Sequence, residues 1–117
     1  MQHHKKGRSF GLLKSQREAL LRGLVRSLVL EGGITTTIAK AKEVRPFAER
    51  LITKGKVDSV ATRRFLASEL GNAADAVKAI VDTVAPKYME RNGGYTRIIK
   101  LGKIGARSAE TARIELV

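Results

Sequence analysis

The sequence predicts an α+β fold, with four or so helices packed on a small, mostly antiparallel sheet that ends in a C-terminal hairpin. Apolar residues recur at helical spacing in several separate segments between residues 15 and 84, whereas strand-forming residues dominate 95–101 and 111–117. Because the two kinds of segment occupy different parts of the chain, we expect the helices to lie on one side of the sheet. A basic, disordered arm is predicted to precede this domain.

The first helix is predicted to begin at Ser15, after an arm of residues 1–14. Ser15 and Glu18 have the spacing of a capping box, in which each side chain accepts a hydrogen bond from the other residue's backbone N–H. Gly32-Gly33 is expected to end the helix. The apolar stripe of this helix consists of Leu20, Leu21, Leu24, Val25, Leu28 and Val29.

A short strand and a second helix follow. Residues 34–37 are all β-branched, which favours a strand, and the last threonine can cap the next helix. Pro46 removes one backbone hydrogen bond from that helix, at a cost of ~3 kcal/mol. Two alternatives follow: the helix kinks at Pro46, or Pro46 opens a second helical piece. The residues predicted to point inward are Ala41, Val44, Ala48, Leu51 and Ile52.

Two further helices are predicted before the strands. Asp58 or Ser59 can cap the third helix, which runs through Leu70 and ends at Gly71. The fourth has an apolar stripe, with charges that should compensate one another on the opposite face. Its stripe consists of Ala73, Val77, Ile80, Val81 and Val84, and the opposite charges are Asp75, Lys78 and Asp82.

The C-terminal part of the chain predicts a β-hairpin. Residues 95–101 follow Gly93-Gly94 and are rich in strand formers. Residues 111–117 alternate strictly, which predicts that Ala112, Ile114 and Leu116 share one face. The two strands should pair across the polar loop 102–110. Residues 15–117 are therefore expected to form a single globular domain.

The charge of the chain is large and uneven. The net charge is +12, and residues 1–64 account for +10 of it, with 15 Lys or Arg against 5 Asp or Glu. Residues 65–117 carry 8 against 6, or +2. The arm carries two histidines and four cations before the first acid, Glu18. A segment that cannot bury apolar surface has no folding reason to be cationic, so we expect a polyanion to order the arm on binding.

Catalysis is not expected. The chain has no cysteine, and its two histidines are neighbours in the arm, so no nucleophile or general acid-base pair is evident. His3-His4 alone would make a weak metal site and is interpreted as a pair of donors to phosphates. We therefore expect no enzyme activity, cofactor or small-molecule substrate. No apolar run reaches the roughly 18 residues of a membrane span, so no membrane partner is expected.

The candidate binding residues are basic residues in four regions and one aromatic residue. Arg22 and Arg26 should extend the arm's surface along the first helix. Lys40 and Lys42 follow a helix start, where free N–H groups and the helix dipole favour phosphate. Tyr95 is equally well explained as hairpin core or as a stacking platform, with Arg97 on the same face. The full set is His3, His4, Lys5, Lys6, Arg8, Lys14, Arg17, Arg22, Arg26, Lys40, Lys42, Tyr95, Arg97 and Lys100.

Several motifs occur in the order and spacing of one known family. They are His3, Lys5, Gly7-Arg8, Ser15, Arg17, Arg22, Thr36-Thr37, Lys40-Ala41-Lys42-Glu43, Leu51-Ile52, Asp58-Ser59, Arg63-Arg64 and Gly93-Gly94-Tyr95-Thr96-Arg97-Ile98. With them the whole chain resembles the bacterial-type large-subunit ribosomal protein seventeen family. Gln2, Gln16, Leu12-Leu13 and Pro46 depart from the family's pattern.

The resemblance implies a structural constituent of the large ribosomal subunit, bound to its ribosomal RNA near the exit side of the peptide tunnel, beside other ribosomal proteins. It implies a cytoplasmic ribosome more than an organellar one. The family's RNA-facing positions correspond to the arm, the first helix and the strand at Tyr95. From charge alone, a chromosome-binding architectural protein is the alternative, but it would need a DNA-bending wedge or a dimer surface.

Overall fold

The computed structural model describes residues 13–103 and 109–117 and confirms the predicted α+β class. The predicted arm lies outside the described residues except for Leu13 and Lys14. The elements are α1 (Lys14–Glu31), β1 (Gly33–Thr37), α2 (Ile38–Gly55), α3 (Val60–Glu69), α4 (Ala74–Ala79), β2 (Thr96–Gly102) and β3 (Thr111–Leu116). The helix of α4 continues as a π-helical turn, Ile80–Val84, and a 3-10 turn, Ala85–Tyr88.

The strands form a sheet in the order β1-β3-β2, with β3 antiparallel to both neighbours. The predicted hairpin of β2 and β3 is therefore confirmed. Ile34, Ile114 and Ile98 occupy matching register positions on the face that the helices cover. A register shift between Lys100 and Gly102 gives β2 a bulge at its end.

The core lies between the helices and this sheet face. All five α2 residues predicted to point inward are fully buried. Val25, Leu28 and Val29 of α1 pack against them, and Ile114 completes the contact with the sheet. Since burial of one such aliphatic side chain stabilises a fold by about 1.5–3 kcal/mol, this interface holds the layers together.

The start of α1 differs from the prediction. The helix begins at Lys14, with Leu13 as the residue before it, so the Ser15–Glu18 capping box is wrong. The Leu13 N–H instead donates to the amide oxygen of Gln16 at 3.4 Å. Ser15 lies inside the first turn, because the helix begins one residue before it. The helix ends as predicted, because Gly32 adopts a left-handed φ of 85° and donates to the Leu28 carbonyl.

Pro46 does not split α2, which runs as one helix through the proline. The Thr37 hydroxyl caps its start by accepting a hydrogen bond from the Lys40 N–H at 3.3 Å, as predicted. Pro46 lies on the exposed side of the helix. Water can therefore donate a hydrogen bond to the carbonyl that the proline leaves without a helical N–H donor.

Ser59, one of the two predicted caps, caps α3 through its hydroxyl, which accepts a hydrogen bond from the Thr62 N–H at 3.1 Å.

The charges of the fourth helix pair differently from the prediction. The acids of the fourth helix are not compensated within that helix: Asp75 pairs with Arg26 of α1, and Asp82 pairs with Arg63 of α3. These pairs cross between elements and so help to fix how the helices pack.

Candidate nucleic-acid interface

Strand topology brings several cations to one end of the molecule. Because β1 and β2 are both antiparallel to β3, they end at the same edge of the sheet. The start of α2 lies there too, since the Ile38 N–H donates to the Glu110 carbonyl just before β3 at 3.1 Å. We call the following residues the cationic end: Lys14, Arg17, Lys40, Lys42, Lys100 and Lys103.

The start of α1 joins this end through an ion pair. Arg17 pairs with Glu43, which lies in the second turn of α2. Lys14 precedes Arg17 by about one helical turn, so it lies on the same side of α1. The arm therefore enters the described structure next to the start of α2.

Hydrogen bonds join the two elements that carry Lys42 and Lys100. The Glu49 carboxylate of α2 accepts hydrogen bonds from the Thr96 N–H at 3.2 Å and from its hydroxyl at 2.9 Å. Lys42 lies ~10 Å back along the helix from Glu49, and Lys100 lies ~13 Å onward along β2 from Thr96. Both lysines therefore lie on the side of this contact that faces the cationic end.

The electrostatics of this end favour an anion. Lys14, Lys40, Lys42, Lys100 and Lys103 make no ion pair with any residue that the structure describes. Both α1 and α2 are 18 residues long, and each presents its N-terminus here, which adds partial positive charge. These five lysines can bind phosphates without first breaking an internal ion pair.

Arg22 and Arg26 do not lie on this surface. Arg17 and Arg26 are nine residues apart, which places them about 180° apart around a helix. Arg26 reaches α4, where its Nε donates to Asp75 at 3.0 Å and its hydrogen bonds lower the pKa of that carboxyl. Arg22 lies against the backbone at Gly71. Arg26 thus faces away from Arg17, and the predictions that these two arginines extend the arm's surface and contact RNA stay predictions.

Tyr95 is part of the core and offers no ring face for a base to stack on. It is 1% exposed, and its ring centroid lies 5.1 Å from that of Tyr88. Arg97 is exposed on the outer face of the sheet, where its Nε donates to Glu115 at 2.9 Å. The shared face expected for these two residues is wrong, because the chain turns at Gly93 and Gly94, both at positive φ, before β2 begins.

The remaining predicted residues, His3, His4, Lys5, Lys6 and Arg8, lie outside the described residues and stay predictions. Lys103 was not predicted from the sequence; it follows β2 directly and is exposed. A lysine between a strand end and a hairpin loop was the available signal. Glu49 was also missed, because its partner Thr96 lies 47 residues away.

The described residues contain neither a candidate metal site nor a candidate membrane span. In residues 13–103 and 109–117, no group of three or more His, Cys, Asp or Glu side chains could hold a metal ion. None of the helices in that part of the chain is long and apolar enough to cross a membrane.

Fold and surface together define a small basic α+β protein in which five of the unpaired lysines of the described residues lie at one end. The family model described as Ribosomal protein L17 matches residues 20–117, and the chain belongs to this family. Its relatives include proteins named large ribosomal subunit protein bL17. The one from Fusobacterium nucleatum subsp. nucleatum is 46% identical over 121 residues, covering 100% of both chains.

A second such relative, from Dictyoglomus thermophilum, is 48% identical over 117 residues and again covers 100% of both chains. A third, from Persephonella marina, is 48% identical over 103 residues, covering 88% of this chain and 83% of the relative. The resemblance predicted from the motifs is thereby confirmed.

Proposed function

We propose that this protein is a structural constituent of the large ribosomal subunit and that it binds large-subunit ribosomal RNA. Membership of the ribosomal protein L17 family carries the proposal, together with relatives whose names place them in that subunit. It acts without catalysis, on a ribosome in the cytoplasm, beside other ribosomal proteins.

The cationic end is the proposed RNA-binding surface of the described residues. Its lysines lie in α1, in α2, in β2 and directly after β2, and these three elements are joined by the Arg17–Glu43 pair and the Glu49–Thr96 hydrogen bonds. Such a rigid spacing of cations recognises the shape and backbone of folded RNA more than its bases. The arm, residues 1–14, starts from this end and adds its cations to the same contact.

Sedimentation tests the proposal. A lysate that contains the tagged full chain is separated on a sucrose gradient after a moderate salt wash. We expect the protein to sediment with large subunits. Treatment with ribonuclease should release it, whereas treatment with deoxyribonuclease should not. Sedimentation with DNA would instead support a chromosome-binding architectural protein.

A further inference from the structure

We propose that the RNA contact continues from the cationic end along the exposed side of α2, where phosphates of large-subunit ribosomal RNA meet a further row of cations. This inference rests on the proposed function, because it extends the same contact. We call Lys42, Arg45 and Lys56 the basic strip. Lys42 also belongs to the cationic end, so the strip begins where the proposed RNA-binding surface already lies.

The basic strip occupies one side of α2. At 100° per residue, its three cations fall within about 60° of one another around the helix. Lys56 directly follows the last residue of α2 and keeps helical backbone angles, with φ at -66° and ψ at -24°. From Lys42 to Lys56 the helix rises ~21 Å. The strip is therefore long enough to follow several phosphates of one RNA strand.

The charges on this side of α2 favour phosphate. Glu49 lies among the cations, but its carboxylate accepts two hydrogen bonds from Thr96 and its side chain is only 20% exposed. Arg45 lies 3.7 Å from Glu49 and remains 47% exposed. Lys42 and Lys56 make no ion pair with any residue that the structure describes. Three cations thus stand against one largely covered acid, which makes the strip complementary to an anion.

Two contacts position Lys56 at the far end of the strip. Its Nζ lies 5.0 Å from the centre of the Tyr95 ring and donates a hydrogen bond to the Arg91 carbonyl. Neither the phenol ring nor the carbonyl carries a negative charge, so these contacts orient the ammonium group without neutralising it. Lys56 therefore presents its charge to a phosphate at a fixed place.

The free edge of β2 adds backbone donors beside the strip. The Tyr95 carbonyl accepts a hydrogen bond from the Val117 N–H at 2.9 Å. Since the direction of these groups alternates along an antiparallel pair, the N–H groups of Thr96 and Ile98 point to the free edge. Glu49 accepts from the first of them, so the strip lies beside this edge. The Ile98 N–H can donate to a phosphate oxygen there.

Salt dependence tests the inference on the full chain. Arg45→Gln and Lys56→Gln together should reduce the slope of log affinity for large-subunit ribosomal RNA against log salt by about 1.4–1.8, at roughly 0.7–0.9 per phosphate contact. The control, Arg50→Gln with Lys54→Gln, removes the same charge from the same helix, about 140–160° away around its axis. Its slope should equal that of the unmodified protein. An unchanged slope for the strip variant, or an equal reduction in both variants, would overturn the inference.

Photo-crosslinking in assembled large subunits tests the contact at one position and leaves Lys56 intact. Because the chain has no cysteine, Arg45→Cys creates one site for an azidophenacyl probe. We expect this probe to attach to RNA. The same probe on Arg50→Cys should attach to RNA in much lower yield. Attachment of the first probe to protein, no attachment, or equal RNA yields at the two positions would contradict the inference.

A triple variant separates this inference from the proposed function. Replacement of Lys42, Lys100 and Lys103 by alanine tests the cationic end. If the unmodified chain neither sediments with large subunits nor binds their RNA, the proposed function fails and the inference fails with it. If the triple variant has a reduced slope and the variant of Arg45 and Lys56 does not, the proposed function stands and the strip is not part of the RNA contact.

Discussion

A hydrogen bond between two hydroxyl groups links the end of α2 to the residue before β2. The Tyr95 Oη lies 2.8 Å from the Thr53 hydroxyl, and the Tyr95 ring is buried. Tyr95→Phe should lower the free energy of unfolding by about 0.5–1.5 kcal/mol, because it removes one hydrogen bond and leaves the packing intact. Urea unfolding measures the change. An unchanged midpoint would show that this hydrogen bond does not stabilise the fold.

Three carboxylates should make the protein sensitive to acid. Hydrogen bonds from Arg63, Arg26 and Arg97 lower the pKa values of their partners. These partners are Asp58, Asp75 and Glu115. In the pH range just below the ordinary carboxyl value of about 4, the unfolded state therefore binds more protons than the folded state. The stability is fully present above that value and is lost as pH falls through the lowered values.

These three carboxylates should therefore change the urea midpoint little between pH 7 and 5, and they should lower it as the pH falls below 4. Asp75→Asn is the matched variant, because it keeps the shape of the side chain and removes one titrating group. Its midpoint should fall less between pH 5 and 3 than that of the unmodified protein. Parallel curves for the two proteins would contradict a role for the Arg26–Asp75 pair.

Burial could be predicted from the sequence more completely than side-chain partners could. The inward residues of α2 follow a 3.6-residue period, so each is visible from its near neighbours. The partner of Arg26 is Asp75, 49 residues away, and nothing local indicates that pairing. The same limit applies to Tyr95, whose neighbours suggested a continuous strand although two positive-φ glycines turn the chain first.

Two helical glycines should respond oppositely to alanine. A Cβ at Gly55, the last residue of α2, would lie 2.6 Å from the Cγ2 of buried Ile80, whereas a Cβ at Gly23 in α1 would meet nothing within 4 Å. Overpacking costs about 1–3 kcal/mol, which outweighs the gain of up to about 1 kcal/mol in helix propensity. Gly55→Ala should therefore destabilise the protein.

Gly23→Ala is the control, since it gains propensity without a contact and should stabilise the protein by about 0.5–1 kcal/mol. Urea unfolding of both variants gives the comparison. If Gly55→Ala were equally stabilising, the close approach of α2 to the π-helical turn at Ile80 would be wrong. That turn itself was not predicted, because the stripe of Ile80, Val81 and Val84 fits an ordinary α-helix equally well.

The distribution of charge along the sequence does not by itself determine where the cations lie in the structure, because the topology of the sheet decides which of them meet. The sequence showed that the first 64 residues carry most of the net charge, but Lys100 and Lys103 come from the nearly neutral second half. They join Lys40 and Lys42 because β2 ends where α2 begins. No local pattern could indicate this, since it depends on β3 pairing with both β1 and β2.

Salt dependence of RNA binding tests the cationic end as a unit. The slope of log affinity against log salt should fall by about 2–3 when Lys42, Lys100 and Lys103 are replaced by alanine, at roughly 0.7–0.9 per phosphate contact. Removal of residues 1–14 takes away four cations and should lower it by about 3–4. The control replaces Arg64, Lys78 and Lys87, which are exposed, lie outside the cationic end and have no ion pair within the described chain. Because the control also removes three charges, it matches the change in net charge. In filter binding to large-subunit ribosomal RNA, the control variant should have almost the same slope as the unmodified protein. An equal reduction of the slope in the two triple variants would mean that net charge alone holds the RNA.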